Sequence, residues 1–447
     1  MMSLSKSALL SAAASLLFTA LAFAEPPRAP KPNVLVIVLD TLRFDATSFG
    51  GRSEQTPFLA SLASRSVVFT HAYSTHDFTP PSHFSLLTGL RNGLDTVDDH
   101  PQIGIAWEAK RLGYDTFGTA ANVLLNPIII APLAAFDRYH ELSAAVKSNA
   151  AAAFGAYAEI DMRLASFGLR ATPHNRASVY YSAVRVLPDV AAQIRESKTP
   201  YLGFVNLTDP HEPWVPNPAL YPPEKEVVPP AFQPDIITRS FNPEFAHPET
   251  ITDAARRIRV QDKLRLVTSP RLIALDLTPA QLATYRARYD AEVRGLDLRL
   301  KEFFTQLANE NLLDDTIVII TSDHGESFGE EDLITHNFKD RGDYESTHHV
   351  PMLIVFPPRY RVTTRVVNEK VSIADIPPTI YDLLSLDWSP LRKKYGARFG
   401  RSLLPLFMSD KPQYTAVATV PKTLGKVPTS AEEEERRKAL KALGYLQ

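Results

Sequence analysis

Four apolar runs, Asn33 to Leu39, Tyr201 to Leu207, Thr316 to Thr321 and Val350 to Phe356, are continuous rather than alternating and rich in Val, Ile and Leu. A strand reads this way when helices cover both faces of its sheet. Between the runs lie helix-like segments, Pro57 to Ser66, Ile105 to Gly113, Ser178 to Ser197 and the long Thr278 to Asn311, the last with apolar residues at helical spacing. Strands alternating with helices predict an α/β sandwich with a mostly parallel central sheet flanked by helices. Asp40, Asp209 and Asp323 each come at the carboxyl end of a predicted strand, where open α/β sheets place their ligands.

Two stretches fit the alternation poorly. Residues 144–177 are Ala-rich with no strand signal, and residues 221–270 are dense in proline and charge. Both are expected to be insertions over the mouth of a site, where substrate choice is made. The first 24 residues read as a secretory leader: Lys6, a short apolar stretch from Ala8 to Leu21, then Ala22-Phe23-Ala24 before Glu25. An uncleaved anchor is the rival reading, but the run is shorter than the ~20 residues that span a bilayer. The expected organisation is a leader over 1–24, a Pro-rich linker over 25–31, a catalytic region over 32–410 and a tail over 411–447. The charged run from Glu432 to Lys438 opens a short amphipathic helix in that tail. Cleavage between Ala24 and Glu25 would release a periplasmic or secreted protein with no membrane span.

The chain has 447 residues, 45% hydrophobic and 22% charged, enough to bury a large core. Its formal net charge of -2 gives no electrostatic support for binding nucleic acid, so an anionic substrate has to be held by a local site. Cysteine is absent, which excludes disulfides and thiolate metal ligands.

Cleaving a sulfate or phosphate ester needs a nucleophile, a cation against the non-bridging oxygens and an acid for the leaving group. Asp40, Asp323 and His324, converging from strand ends, offer two carboxylates and an imidazole for one divalent ion, with the Thr79 oxygen as a fourth ligand. Imidazole ligation favours zinc or manganese over calcium, which prefers oxygen donors. Each residue also has a plainer reading. Asp40 could cap a helix, Thr79-Pro80-Pro81-Ser82 could be a Pro-rich helix entry, and His211 could be a turn histidine between Pro210 and Pro213. The adjacent Asp323 and His324 are harder to dismiss, because charged groups directly after a buried strand are costly unless paired or metal-bound.

The segment Phe78-Thr-Pro-Pro-Ser-His-Phe-Ser-Leu-Leu-Thr-Gly-Leu90 resembles the nucleophile block of the sulfatase family, Cys/Ser-x-Pro-Ser-Arg followed by Leu-Thr-Gly. Further resemblance lies in PNVLVIVLDTLRFDATSFGG, in the Asp209-Pro-His-Glu-Pro-Trp214 turn, in DDTIVIITSDHGESFGE, in the Tyr344-Glu345 block and in DIPPTIYDLL with GRSLLPLF. Together these cover nearly all of residues 32–407 and identify the chain as a member of that family, within the alkaline phosphatase superfamily. The resemblance implies an alkaline-phosphatase-like sandwich with a reduced C-terminal subdomain. It also implies a metal site of Asp40, Thr79, Asp323 and His324, and His211 as the residue that assists the leaving group.

The departures set the chemistry. Thr79 stands where the family oxidises Cys or Ser to a formylglycine aldehyde, and threonine cannot give that aldehyde. The block's Arg is His83, an imidazole able to hydrogen-bond the Thr79 oxygen, and the family's second Asp is Thr41. The Lys and His that grip sulfate in the family fall at Ala121 and Val123, leaving Asn122 as the polar residue there. His336 and Lys339 compete for the place of a Gly-His segment, and with Asn122 they are the candidates for substrate binding. Threonine nucleophiles with Asp-His metal pairs resemble the phosphoryl-transferring branch of the superfamily. The expected activity is a metal-dependent hydrolase or transferase cleaving sulfate or phosphate esters, phosphate favoured, on a small-molecule, glycan or lipid ester. A noncatalytic protein binding an anionic glycan is the alternative, and retention of His211 argues against it.

Overall fold

A computed structural model of the protein describes residues 30–91, 103–122, 124–127, 129–142, 182–198, 200–212, 214, 216, 219–221, 243–267, 272–338, 344–414 and 434. The first apolar run is the wholly buried strand β1 (Asn33–Leu39), and it lies at the centre of the sheet. Two other runs flank it in parallel: β5 (Tyr201–Leu207) and β6 (Thr316–Thr321). The fourth is β9 (His349–Val355), which pairs antiparallel with β6.

Further strands complete the sheet where the sequence shows no apolar run. These are β2 (Ser66–Tyr73), β3 (Asp115–Ala120), β4 (Arg138–Glu141) and the short β10 (Val366–Val367) and β11 (Val371–Ser372). The order is β10-β2-β9-β6-β1-β5-β3-β4, with β11 also beside β2. Only the pairings made by β9 are antiparallel among these, so the sheet is mostly parallel. A separate two-stranded ribbon joins β7 (Ser327–Phe328) to β8 (Ile334–Thr335).

The two-residue period of β1 sorts its side chains into two cores. Val34, Val36 and Val38 face one layer, with α2 (Thr79–Thr88), α3 (Ile105–Arg111) and α8 (Ile376–Leu383). Leu35, Ile37 and Leu39 face the other, with α1 (Pro57–Ser61), α4 (Ala183–Glu196) and α6 (Pro279–Asn309). The long helix α6 starts at a capping box: Thr278 Oγ1 accepts the Gln281 N–H at 3.3 Å, and Gln281 Oε1 accepts the Thr278 N–H at 2.8 Å. Smaller helices α7 (Glu345–His348) and α9 (Ser389–Tyr395) complete the set described here.

The described part of the proline- and charge-rich stretch contains α5 (Ala254–Leu266), capped by Asp253, whose Oδ1 accepts the Arg256 N–H at 3.0 Å. Phe245, Ile251, Val260 and Val267 from this region pack on Ile273, Leu333 and Phe338. The expected leader over 1–24, the insertion over 144–177, Lys339 and the tail helix after Ala431, apart from Glu434, lie outside the described residues. Among the described residues no helix is long and apolar enough to cross a membrane.

Because β1, β2, β3, β5 and β6 share one direction, their carboxyl ends meet at one edge of the sheet. The loops leaving that edge carry Asp40, Ser74 to Thr79, Ala121 and Asn122, Thr208 to Glu212, and Ser322 to Glu326.

Candidate active site

Asp40 leaves β1 fully buried, with its two oxygens in different situations. Oδ2 accepts the side-chain amides of Asn122 at 2.9 Å and Asn206 at 3.2 Å, while Oδ1 has no hydrogen-bond partner. Asp323, after β6, repeats the pattern. Its Oδ1 accepts the backbone N–H groups of Thr41 at 3.2 Å and His324 at 2.9 Å, and its Oδ2 is buried without a hydrogen bond.

Thr41 is forced into the left-handed region, φ +61°, to aim that N–H, and its carbonyl accepts the Tyr289 hydroxyl at 3.0 Å. Gly325 allows the strand-end loop to turn there, since a Cβ would overlap the Ser346 carbonyl oxygen. Ser74 Oγ donates to the Asp323 carbonyl and lies 3.1 Å from Ser82 Oγ, which ties the loop before α2 to the loop after β6.

His324 gives its Nδ1–H to the Gly325 carbonyl at 3.0 Å, which turns Nε2 toward Asp323 and Thr79. One ligand atom each from Asp40, Asp323 and His324 all lie within 4.8 Å of one another. Two buried carboxylate oxygens that make no hydrogen bond and an imidazole nitrogen turned toward them are a donor set that fits a divalent cation. Thr79 Oγ1 lies 3.2 Å from His324 Nε2 and 3.5 Å from the Asn122 amide nitrogen. Thr79 is the first residue of the ten-residue helix α2, whose amino end adds partial positive charge at this point.

His83, one turn along α2, meets the backbone carbonyl oxygen of Thr79 at 3.0 Å rather than its hydroxyl. The same Nδ1 lies 3.3 Å from Asp323 Oδ2. Burial opposes the charge on both groups, but Asp323 holds the His83 pKa above its ordinary value, and His324 and His83 hold the Asp323 carboxyl well below the carboxylate range. His83 thereby steadies the Asp323 carboxylate.

His211 is buried, and its Nδ1–H is given to the Glu212 carbonyl at 2.7 Å, so Nε2 is the nitrogen left to exchange a proton. Burial lowers its pKa. His336 packs 4.5 Å from the His324 ring and 5.1 Å from the His211 ring, with Nδ1 at 2.6 Å from Glu326 Oε1. Burial pushes Glu326 up to about 8, and burial together with the nearby His324 pushes His336 down to about 3, so this pair is uncharged at neutral pH.

That pairing has a pH signature in the metal-free fold. Between the carboxyl's ordinary pKa and about 8, folded Glu326 keeps a proton that the unfolded chain releases, so stability falls as pH rises through that window. Glu326→Gln removes the linkage. Its thermal midpoint relative to wild type is expected to climb from pH 5 to pH 8, with a slope of at most about 1.4 kcal/mol per pH unit, measured in chelator by scanning calorimetry.

Of the residues singled out in the sequence, Asp40, Thr79, His83, Asn122, His211, Asp323, His324 and His336 converge here. Asp209 does not join them: its Oδ2 accepts the Ala183 N–H at 2.8 Å, the helix-capping role open to any strand-end Asp. The sequence reading passed over Asn206, Ser74, Asp77 and Glu326. Asn206 was detectable in principle, being a lone amide in an otherwise apolar strand.

This sandwich, with a buried threonine hydroxyl beside a carboxylate and histidine cluster, is that of a hydrolase of sulfuric or phosphoric esters with alkaline-phosphatase-like architecture. A family-wide sequence profile described as Sulfatase matches residues 32–386. The chain therefore belongs to the sulfatase family. It is 24% identical over 383 residues to a choline-sulfatase of Rhizobium meliloti, covering 81% of this chain and 69% of that protein. It is 23% identical over 378 residues to an ulvan-active sulfatase of Formosa agariphila, covering 80% of this chain and 62% of the relative. Among solved structures, a phosphonate monoester hydrolase of Agrobacterium radiobacter superposes with a TM-score of 0.56 at 21% identity, covering 84% of this chain and 77% of that one.

Proposed function

We propose that the protein cleaves phosphate or sulfate esters through Thr79 as nucleophile, with phosphate favoured, and passes the group to water or another acceptor. The observation that carries this reading is the placement of Thr79 Oγ1 at 3.2 Å from His324 Nε2, within the cluster of Asp40, Asp323 and His324. A divalent ion, zinc or manganese by the donor set, would supply the charge that lowers the threonine hydroxyl pKa and neutralises the ester oxygens.

Thr79 Oγ attacks phosphorus, the bond to the leaving oxygen breaks, and a phosphothreonine ester remains. The Thr79 hydroxyl proton passes to solvent, and protonated His211 gives its Nε2 proton to the leaving oxygen, because Nδ1–H is committed to the Glu212 carbonyl. Water then attacks the phosphothreonine, and its proton restores the Thr79 hydroxyl. Asn122 and Asn206 hold Asp40, His83 holds Asp323, and His336 faces the substrate from beside His211.

Phosphate is favoured because threonine forms no aldehyde hydrate. Such a hydrate carries a second hydroxyl able to expel sulfate by breaking carbon to oxygen. A threonine ester has to be opened by water at phosphorus or sulfur instead. The test is a panel of aryl sulfate, phosphate monoester, phosphate diester and phosphonate monoester, each with zinc, manganese and calcium. A phosphate or phosphonate ester is expected to turn over fastest. Fastest turnover of the aryl sulfate would reverse the order, and no turnover with any metal would favour the noncatalytic alternative.

His211→Ala has a distinct signature. An alkyl ester is expected to slow by roughly 100-fold or more, and a nitrophenyl ester far less, because nitrophenolate departs without a proton. The dependence of rate on leaving-group pKa, compared between wild type and variant, measures this directly.

A further inference from the structure

His336 sits in a backbone that other parts of the chain must hold in place. Both its neighbours are non-glycine residues in the left-handed region, Thr335 at φ +63° and Asn337 at φ +71°. Such a conformation is strained for a residue with a side chain and persists only where surrounding contacts impose it. Glu326 fixes the ring through Nδ1, but it does not touch the backbone hydrogen bonds of this turn.

Those bonds run to Asp77. The Asn337 N–H donates to the Asp77 carbonyl at 3.0 Å, and the Phe338 N–H donates to Asp77 Oδ2 at 2.7 Å. Asp77 is buried and stands two residues before Thr79, on the loop that delivers the nucleophile. A buried carboxylate is a costly acceptor for backbone amides, where an uncharged side chain or a water would serve. Its position explains the choice: one residue ties the turn of His336 to the loop of Thr79. On the other side, Phe338 and Leu333 of the same turn are packed against Val260 and Val267.

We propose that Asp77 is a positioning residue that registers His336 against Thr79, holding the two amides that follow His336 while Glu326 sets its ring. This rests on the reading that His336 meets the ester, and it assigns to Asp77 and Glu326 the separate tasks of backbone and ring placement. Asp77 itself does not touch substrate.

The test combines amide hydrogen exchange with a double-mutant cycle, both on the metal-loaded full chain. In wild type the amides of Asn337 and Phe338 exchange slowly, and Asp77→Ala, which deletes the Oδ2 acceptor but keeps the carbonyl that holds the Asn337 N–H, speeds exchange at Phe338 while the sheet is unaffected. With the aryl ester that wild type cleaves fastest, D77A lowers kcat/KM by roughly 100-fold, the scale of an ångström-level misplacement. Asp77→Asn keeps an acceptor oxygen and restores the rate to within about threefold of wild type and the slow exchange with it. In a His336→Ala background D77A costs less than about twofold, because the residue it places is gone.

An equal loss from D77A in both backgrounds would overturn the proposal, as would fast exchange at Asn337 and Phe338 in wild type. That wild-type measurement decides the matter even if D77A does not fold. If wild type cleaves no ester, the proposed function fails, and the exchange arm alone tests the tie between Asp77 and the turn of His336.

Discussion

Thr79→Ala is expected to lower kcat/KM by roughly 10,000-fold or more, the scale seen when a covalent nucleophile is removed. The physical reason is local. The threonine methyl and hydroxyl are buried at the first turn of α2, where Pro80 and Pro81 fix the entry of the helix. Oγ1 is the atom that faces His324 Nε2 and the Asn122 amide. Alanine keeps the helix and the turn and deletes that oxygen together with the buried γ-methyl, so circular dichroism should match wild type and stability should fall by no more than about 1 kcal/mol. Thr79→Ser keeps the hydroxyl and is expected to stay within roughly tenfold of wild type. Full activity in T79A would mean that water, not threonine, attacks the ester.

The second large effect lies in the two carboxylates proposed to hold the metal. Asp40→Asn and Asp323→Asn are each expected to cost roughly 1,000-fold in kcat/KM, the several kcal/mol that a catalytic cation supplies. Metal stoichiometry, measured by elemental analysis, is the readout independent of turnover, and both variants should lose the ion. Wild type should gain about 2.7 kcal/mol of stability at a zinc or manganese concentration 100 times the dissociation constant, and the variants should not.

In metal-free protein the sign reverses at Asp40. Its Oδ1 is buried without a hydrogen bond, so the neutral amide of D40N lifts that burial cost and is expected to raise the thermal midpoint. Asn122 and Asn206 can still donate to the remaining oxygen. A higher midpoint without metal and no shift with metal, in one variant, separates a ligand from a merely structural carboxylate.

Much of this was legible in the chain, and the reason is burial on both faces. A strand covered by helices on each side has to be apolar throughout, so the Asn33, Tyr201 and Thr316 runs stand out and their boundaries agree with β1, β5 and β6. β2, β3 and β4 escape the same test. β3 is buried but is written Asp-Thr-Phe-Gly-Thr-Ala, with more polar and small residues than apolar ones, and β4 is a partly exposed edge strand. Pro57 to Ser66 has helical spacing, yet the helix stops at Ser61, a tight turn follows, and Ser66 already belongs to β2.

The site divides along the same line. Asp40, Asp323 and His324 are legible because titratable residues directly after buried strands need a reason to be there. Asp77 and Ser74 act through bonds to residues some 250 positions away in sequence, Phe338 and Asp323, and local pattern carries no trace of such pairings. His83 was legible as a departure from the family but not in its geometry. Its helical position sets Nδ1 between the Thr79 carbonyl and Asp323, out of line with the hydroxyl.

The central claim is that Thr79 carries the transferred group. Metal-loaded enzyme mixed with an aryl phosphate, quenched in acid within the first turnover and digested, tests it by mass spectrometry of the peptide that contains Thr79. The prediction is one phosphoryl group on Thr79, appearing with the burst of released phenol and decaying as water turns the enzyme over. Turnover with that peptide unmodified at every quench time would contradict it.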